Sequence, residues 1–190
     1  LEIASRLDLA SIGIGPSGLA AFVDSAGVLA LLELTDEGTA AGVPVPVRSG
    51  EDFTGAFDLA AGANGGLVVV GVDGGAGESA LAVRMLDASG ALSDLETPID
   101  LDLSAVDLDP SAVALDGGFA VAFRRSSASG TTVRVVFLDA SGDAIGAQDV
   151  AIAQSAGGGL RLASARDGTL LVVFDDVNAL RAVRLECAGD

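Results

Sequence analysis

Residues 116–142 read DGGFAVAFRRSSASGTTVRVVFLDASG. Two runs of β-branched, small and aromatic residues, 119–124 and 132–138, are fenced by turn sequences: Asp116-Gly117 before the first, Asp139-Ala140-Ser141-Gly142 after the second. Short apolar runs bounded by such turns read as strands joined in hairpins. The first run is apolar on both faces, as expected of a strand covered from two sides.

Outward from this stretch the same features return. Leu138-Asp139-Ala140-Ser141-Gly142 repeats Leu86-Asp87-Ala88-Ser89-Gly90 at a spacing of 52, and looser copies start at Leu34 and Leu185. The run ending in Phe123 has counterparts ending in Phe22, Val72 and Phe174, which stand 50, 51 and 51 residues apart. Further hairpins are marked by Asn64-Gly65 and Asp167-Gly168. Each unit reads as four strands; in the third these are 112–115, 119–124, 132–138 and 149–153. Units of about fifty residues that cannot bury both faces alone must stack on one another. The expected fold is therefore all-β, a four-bladed β-propeller forming one domain over 1–190, with repeats at about 6–56, 57–108, 109–157 and 158–190 plus 1–5. The fourth unit stops after its third strand, while Leu1-Glu2-Ile3-Ala4 resembles Val150-Ala151-Ile152-Ala153, so residues 1–5 are expected to close the ring as its missing outer strand.

The pair Asp116–Phe123 and Val133–Gly142 resembles the repeats of secreted and cell-surface bacterial β-propeller proteins, over essentially the whole chain. Such repeats commonly carry Trp where this chain has Phe123 and Phe174. The resemblance implies an extracellular, cell-surface or periplasmic setting and assigns no catalytic residues, because propellers serve many functions.

The ends of the composition narrow the partners. Ten Arg, no Lys and 27 acidic residues leave a net charge of −17, which repels nucleic-acid and lipid phosphates. Nucleic acid and membrane insertion are therefore excluded, a basic protein partner is favoured, and an oligomer is left open. The apolar run Leu67–Val70 is far shorter than the roughly 20 residues of a membrane-spanning helix. With no His and a single Cys187, most transition-metal chemistry and any intrachain disulfide are excluded; Cys187, in a turn, is left as an exposed thiol or an intermolecular link.

Gly13-Ile14-Gly15-Pro16-Ser17-Gly18, with Glu33 twenty residues after the first glycine, has the form of a dinucleotide-binding fingerprint. That reading requires a crossover helix, but residues 19–26 allow only about two turns, and the stretch aligns with three other hairpins. It is expected to be a turn.

Loops between second and third strands, with those between units, are expected to form one acidic binding face. Its candidate residues are Asp24, Asp73, Glu78, Arg124, Arg125, Asp175 and Asp176, with Asp8, Glu51, Asp52, Asp58, Asp107 and Asp109 in the second set of loops. Carboxylates suit Ca²⁺, the one cofactor considered, though Asp also begins turns for backbone reasons. Without His or Lys, acid and base roles fall to Asp and Glu, as in paired-carboxylate glycoside hydrolysis. Lacking Trp and Tyr to carry sugar rings, the chain is expected not to be an enzyme. The resulting expectation is a non-catalytic extracytoplasmic binding or structural module acting through protein–protein contact. The alternatives are a calcium-dependent or carbohydrate-binding module, or a structural subunit of a multi-chain assembly.

Overall fold

The computed structural model describes residues 10–14, 17–48, 52–75, 78–99, 106–153, 159–165, 168–177 and 179–186; the side chains at 10–14, 17, 75 and 78 lie outside that description. Within these limits the chain is β-structure throughout, arranged in four antiparallel units. The first comprises β1 (Ala10–Ile14), β2 (Ser17–Val23), β3 (Leu29–Leu34) and β4 (Val45–Arg48). The second comprises β5 (Phe53–Gly62), β6 (Gly65–Gly75), β7 (Glu78–Leu86) and β8 (Leu92–Pro98). The third comprises β9 (Val106–Leu115), β10 (Gly118–Ser127), β11 (Gly130–Asp139) and β12 (Ala144–Ala153). The fourth has three described strands, β13 (Leu160–Ser164), β14 (Leu170–Asp176) and β15 (Ala179–Leu185). Among the described residues, one parallel bridge, Ser79 with Val106, joins the second unit's sheet to the third's. The first strands of successive units lie against one another, β1 on β5, β5 on β9 and β9 on β13, and so form the inner edge.

Strands of the third unit are longer than the sequence suggested. Val106-Asp107-Leu108-Asp109-Pro110 reads as a polar connection, yet Asp107 and Leu108 pair with Arg125 and Arg124 of β10. The fingerprint-like segment is a hairpin: Ile14 pairs with Ser17 and Gly13 with Gly18, and strand rather than helix follows.

Because side chains alternate across a strand, every unit offers one apolar face forward and one back. Leu19, Ala21, Leu29 and Leu31 meet Leu59, Val68 and Val70 in the first core. Leu67, Val69, Leu81 and Val83 meet Phe119, Val121 and Phe123 in the second. Ala120, Ala122, Val133 and Val135 meet Leu170, Val172 and Phe174 in the third. Sandwiching on both sides explains why Leu67–Val70 of β6 and Phe119–Phe123 of β10 are apolar in every position. The registers also correct one equivalence: Val70, not Val72, occupies the position of Phe123 and Phe174.

The turns recurring at Asp87 and Asp139 are side-chain-locked. Asp87 Oδ1 accepts from the N–H groups of Ser89 and Ala91 at 2.8 and 3.0 Å, and Asp139 Oδ1 from those of Ser141 and Asp143 at 2.8 and 3.1 Å. The glycines that close them, Gly90 and Gly142, take φ of 84° and 89°, the left-handed region open to residues without Cβ. The proposed closing strand, residues 1–5, and Cys187 lie outside the described residues. Among those described, no strand of the fourth unit pairs with one of the first.

Candidate active site

One position on the inner strands links neighbouring units. Asp58 Oδ2 of β5 accepts from the backbone N–H of Ala112 on β9 at 2.8 Å. Ser111 Oγ of β9 accepts in the same way from the N–H of Leu162 on β13 at 3.1 Å. The registers Asp58 to Val69, Ser111 to Ala122 and Arg161 to Val173 place Asp58, Ser111 and Arg161 at the same point of their units. Three different side chains, a carboxylate, a hydroxyl and a guanidinium, therefore occupy one repeat position beside the axis.

Asp109 joins them through a local irregularity. Between Ala122 and Arg124 the pairing of β10 with β9 slips, so that Asp109 and Pro110 together oppose Phe123. Such a bulge re-aims a side chain. Asp109 itself holds φ of 53°, a conformation costly for a residue with Cβ and characteristic of sites where the surroundings impose it. Beneath it lies Arg124, fully buried, with Nε 3.6 Å from Asp109 Oδ2.

The two aspartates share an electrostatic signature. Burial pushes the Asp58 carboxyl above the ordinary carboxylate range, opposed by the N–H groups of Ala112 and Leu59, the charge of Arg161 and the Ser111 hydroxyl. Burial likewise raises Asp109, opposed by the charges of Arg124 and Arg161. The charge of Arg161 opposes both shifts, while its own Nη1 donates to the carbonyl of Leu160 at 2.7 Å. Carboxyl groups shifted by burial in this manner are candidates for proton exchange with a substrate.

The residues expected to form the acidic face divide differently. Arg124 is a buried rivet between the third and fourth units: its Nη2 donates to the carbonyls of Asp175 at 2.7 Å and Gly159 at 3.2 Å, and its guanidinium lies over the Phe174 ring, 5.7 Å from the centroid. Arg125 is buried against Asp107 at 3.3 Å, beside Ser79, whose hydroxyl donates to the Asp107 carbonyl. Neither arginine is available to an external partner, because both sit where strand ends of adjacent units converge. Asp175 Oδ2 accepts from Gly159 N–H, and buried Asp176 pairs with Arg181 at 3.1 Å. Asp24 is a turn residue, accepting from the N–H groups of Ala26 and Val28. Asp73 is exposed at the end of β6, its N–H donating to the Asp52 carbonyl. Glu78 opposes Gly75 where β7 begins, its side chain outside the described residues, as are Asp8 and Glu51. Asp58 and Asp109 were legible only as members of the acidic face, and Arg161 was missed. A charged residue inside an apolar strand, Phe57-Asp58-Leu59, and an Asp-Pro pair within a strand were the available signals.

An oxygen of Asp58 is taken by Ala112 N–H, and Asp109 lies beside Arg124. Among the described residues no three His, Cys, Asp or Glu side chains converge.

No family model and no curated protein matches the chain. Solved structures do. The chain is similar to a GH43 endo-arabinanase from Bacillus licheniformis, at 17% identity and a TM-score of 0.58, over 94% of this chain and 71% of that one. It is similar to a thermostable family-43 glycoside hydrolase at 11% identity and TM-score 0.61, again over 94% and 71%. A GH43 β-xylosidase/α-arabinofuranosidase from a compost microbial metagenome, in complex with xylotriose in a calcium-free form, matches at 9% identity and TM-score 0.59, over 94% and 73%. At these identities the likeness shows the fold, a β-propeller. It also corrects the expectation of a non-catalytic module, whether protein-binding, calcium-dependent, carbohydrate-binding or a structural subunit, and the expectation that the chain is no enzyme. The structures it matches are those of glycoside hydrolases. The expectation rested on the absence of Trp and Tyr as platforms for sugar rings, whereas the acid and base roles of paired carboxylates need neither, nor His or Lys.

Proposed function

We propose that this chain is a glycoside hydrolase of the propeller type, with Asp58 and Asp109 as its catalytic carboxyl groups. The observation that carries the reading is that Asp58 is bonded at 2.8 Å to the N–H of Ala112, on the strand that also carries Asp109, and that burial raises both aspartates. Glycosidic bond cleavage needs one carboxyl group to protonate the leaving oxygen and a carboxylate to act at the anomeric carbon or on its water. Asp109, raised by burial and re-aimed by the bulge in its strand, is assigned the first role. Asp58 suits the second, since backbone N–H groups support its ionised form. The positive charge of Arg161 favours the ionised form of both.

The neighbours' substrates make arabinan- or xylan-type chains the first to try. Polymers of this kind do not cross membranes, so the reading implies a site of action outside the cytoplasm; no described helix is long and apolar enough to cross a bilayer. The test is release of nitrophenol from aryl α-L-arabinofuranosides and β-D-xylosides, and of reducing ends from arabinan and xylan. Wild type is expected to hydrolyse at least one, and Asp109→Asn and Asp58→Asn to lose roughly 100-fold or more of the rate. Asn keeps an oxygen for Ala112 N–H, so the Asp58 variant remains folded. A wild type inert across the panel, or variants of undiminished rate, would end the proposal.

A further inference from the structure

The described arginines divide by what holds them. Arg48, Arg124, Arg125, Arg134, Arg181 and Arg184 each pair with a carboxylate. Arg84 makes three bonds to the carbonyls of Val47 and Ser93. Arg161 differs from all of these. It is exposed, its one hydrogen bond among the described residues runs from Nη1 to the carbonyl of Leu160, and no described carboxylate forms an ion pair with it. Register sets its place: Arg161 opposes Val173 as Asp58 opposes Val69 and Ser111 opposes Ala122, so it stands on the inner edge level with them. Leu160 and Leu162 on either side of it are buried in the third core, and strand alternation turns Arg161 to the opposite face. Asp58 and Ser111 each give an oxygen to the N–H of the next inner strand, whereas a guanidinium has only donors to offer. Asp175, on the same face of β14 as Val173, accepts from the N–H of Gly159.

We propose that Arg161 is the specificity-determining residue of the axial site, and that the sugar it selects carries a carboxylate, as uronic acid residues do. A guanidinium meets a carboxylate through two parallel N–H···O bonds, a geometry that a neutral hydroxyl cannot return. In a chain of net charge −17, a cation paired with no described carboxylate draws in anions where most of the surface repels them. The charge of Arg161 reaches Asp58 and Asp109, so an anion held on it lies within range of the two carboxyl groups. Asp109, protonated in its assigned role, adds no charge against such a ligand. With no Trp or Tyr to stack on a sugar ring, recognition rests the more on charge and hydrogen bonds. The inference rests on the glycoside-hydrolase reading for its choice of a sugar, and names the class of sugar within it.

The test uses nitrophenyl D-glucuronides and D-galacturonides of both anomers, each beside its methyl ester, which keeps the ring and removes the charge. Binding is followed by calorimetry in the Asp58→Asn background, where ligand is not consumed, and hydrolysis by nitrophenol release from the wild type. At least one uronide is expected to bind about 10-fold or more tightly than its ester. Adding Arg161→Gln should bring that ratio to about 1, and Arg161→Lys should restore part of it, since an ammonium keeps the charge and loses the fork. A merely structural arginine would instead lower Tm and leave the ratio untouched, which overturns the inference. So would uronides and esters bound alike, no binding of any uronide, or a preference that survives Arg161→Gln. Hydrolysis of neutral glycosides by a chain without uronide preference would overturn it while leaving the hydrolase reading intact. Uronide binding that Arg161→Gln abolishes, in a wild type that hydrolyses nothing, would uphold Arg161 as the group that recognises the carboxylate and end the hydrolase reading instead.

Discussion

Asp87 and Asp139 lie in matching Leu-Asp-Ala-Ser-Gly turns at the rim, and each is lowered below the ordinary carboxylate range, first by the hydroxyl of the serine two residues on and then by backbone N–H groups. Asp58 and Asp109 lie on inner strands, in settings that share no local sequence, and burial raises both. The rim pair is repeated because every turn solves the same backbone problem. The axial pair is not, because units that meet around one axis contribute different groups to a shared place. In a repeat protein, structure lies in what recurs and chemistry in what departs from it.

The sharpest way to break this comparison is to treat both pairs alike. Asp58→Asn and Asp109→Asn should remove roughly 100-fold or more of glycosidase rate, while Asp87→Asn and Asp139→Asn should leave it unchanged when assayed on the same aryl glycoside. Equal losses at rim and axis would mean that general destabilisation, not chemistry, is being measured.

Acid titration of stability separates the pairs by sign. A carboxyl raised by burial is better accommodated protonated, so what Asp58 and Asp109 contribute is fully present below their unfolded value near 3.8 and is lost as pH rises through the raised values. A carboxyl lowered by hydrogen bonds contributes above 3.8 and loses that contribution as pH falls through its folded value. Against wild type, the double variant Asp58→Asn/Asp109→Asn should gain in Tm above about pH 4. The double variant Asp87→Asn/Asp139→Asn should lose Tm at neutral pH and converge with wild type below about pH 3. Parallel curves for the two variants would erase the distinction between rim and axis.

At the axis, the position shared by Asp58, Ser111 and Arg161 can be tested where no catalytic role is assigned. Ser111→Ala leaves the N–H of Leu162 without its hydroxyl acceptor in a buried setting. The expected cost is about 1–3 kcal/mol in urea unfolding, with Asp58 retaining its own bond to Ala112.

The division between recurrence and departure also explains what could be read in advance. Period, strand content and stacked architecture were legible because turn glycines and two-sided apolar strands recur in every unit. The inner strand of the third unit was read too short because Asp107, Asp109 and Pro110 carry loop chemistry locally; buried partners on β10, which no local pattern reveals, hold that segment in the sheet. Arg124 and Arg125 looked like surface charge for the same reason. Burial of an arginine is decided by the carbonyls and carboxylates that the neighbouring unit brings, here those of Asp175, Gly159 and Asp107.

The smallest expected effect concerns the rim alone. Gly117, in the hairpin between β9 and β10, has φ of 82°, and a Cβ there would meet nothing within 4 Å. Gly142, with φ of 89°, would place its Cβ 2.8 Å from Met85 Sδ. Gly117→Ala therefore isolates the conformational cost of a left-handed residue, about 1 kcal/mol. Gly142→Ala adds a contact that the flexible thioether can relieve by moving, so its cost should exceed that of Gly117→Ala only slightly. A Gly142→Ala penalty several times larger would show that the second-to-third-unit packing around Met85 constrains this turn, and the rim would then be less separate from the core than the aspartate comparison makes it.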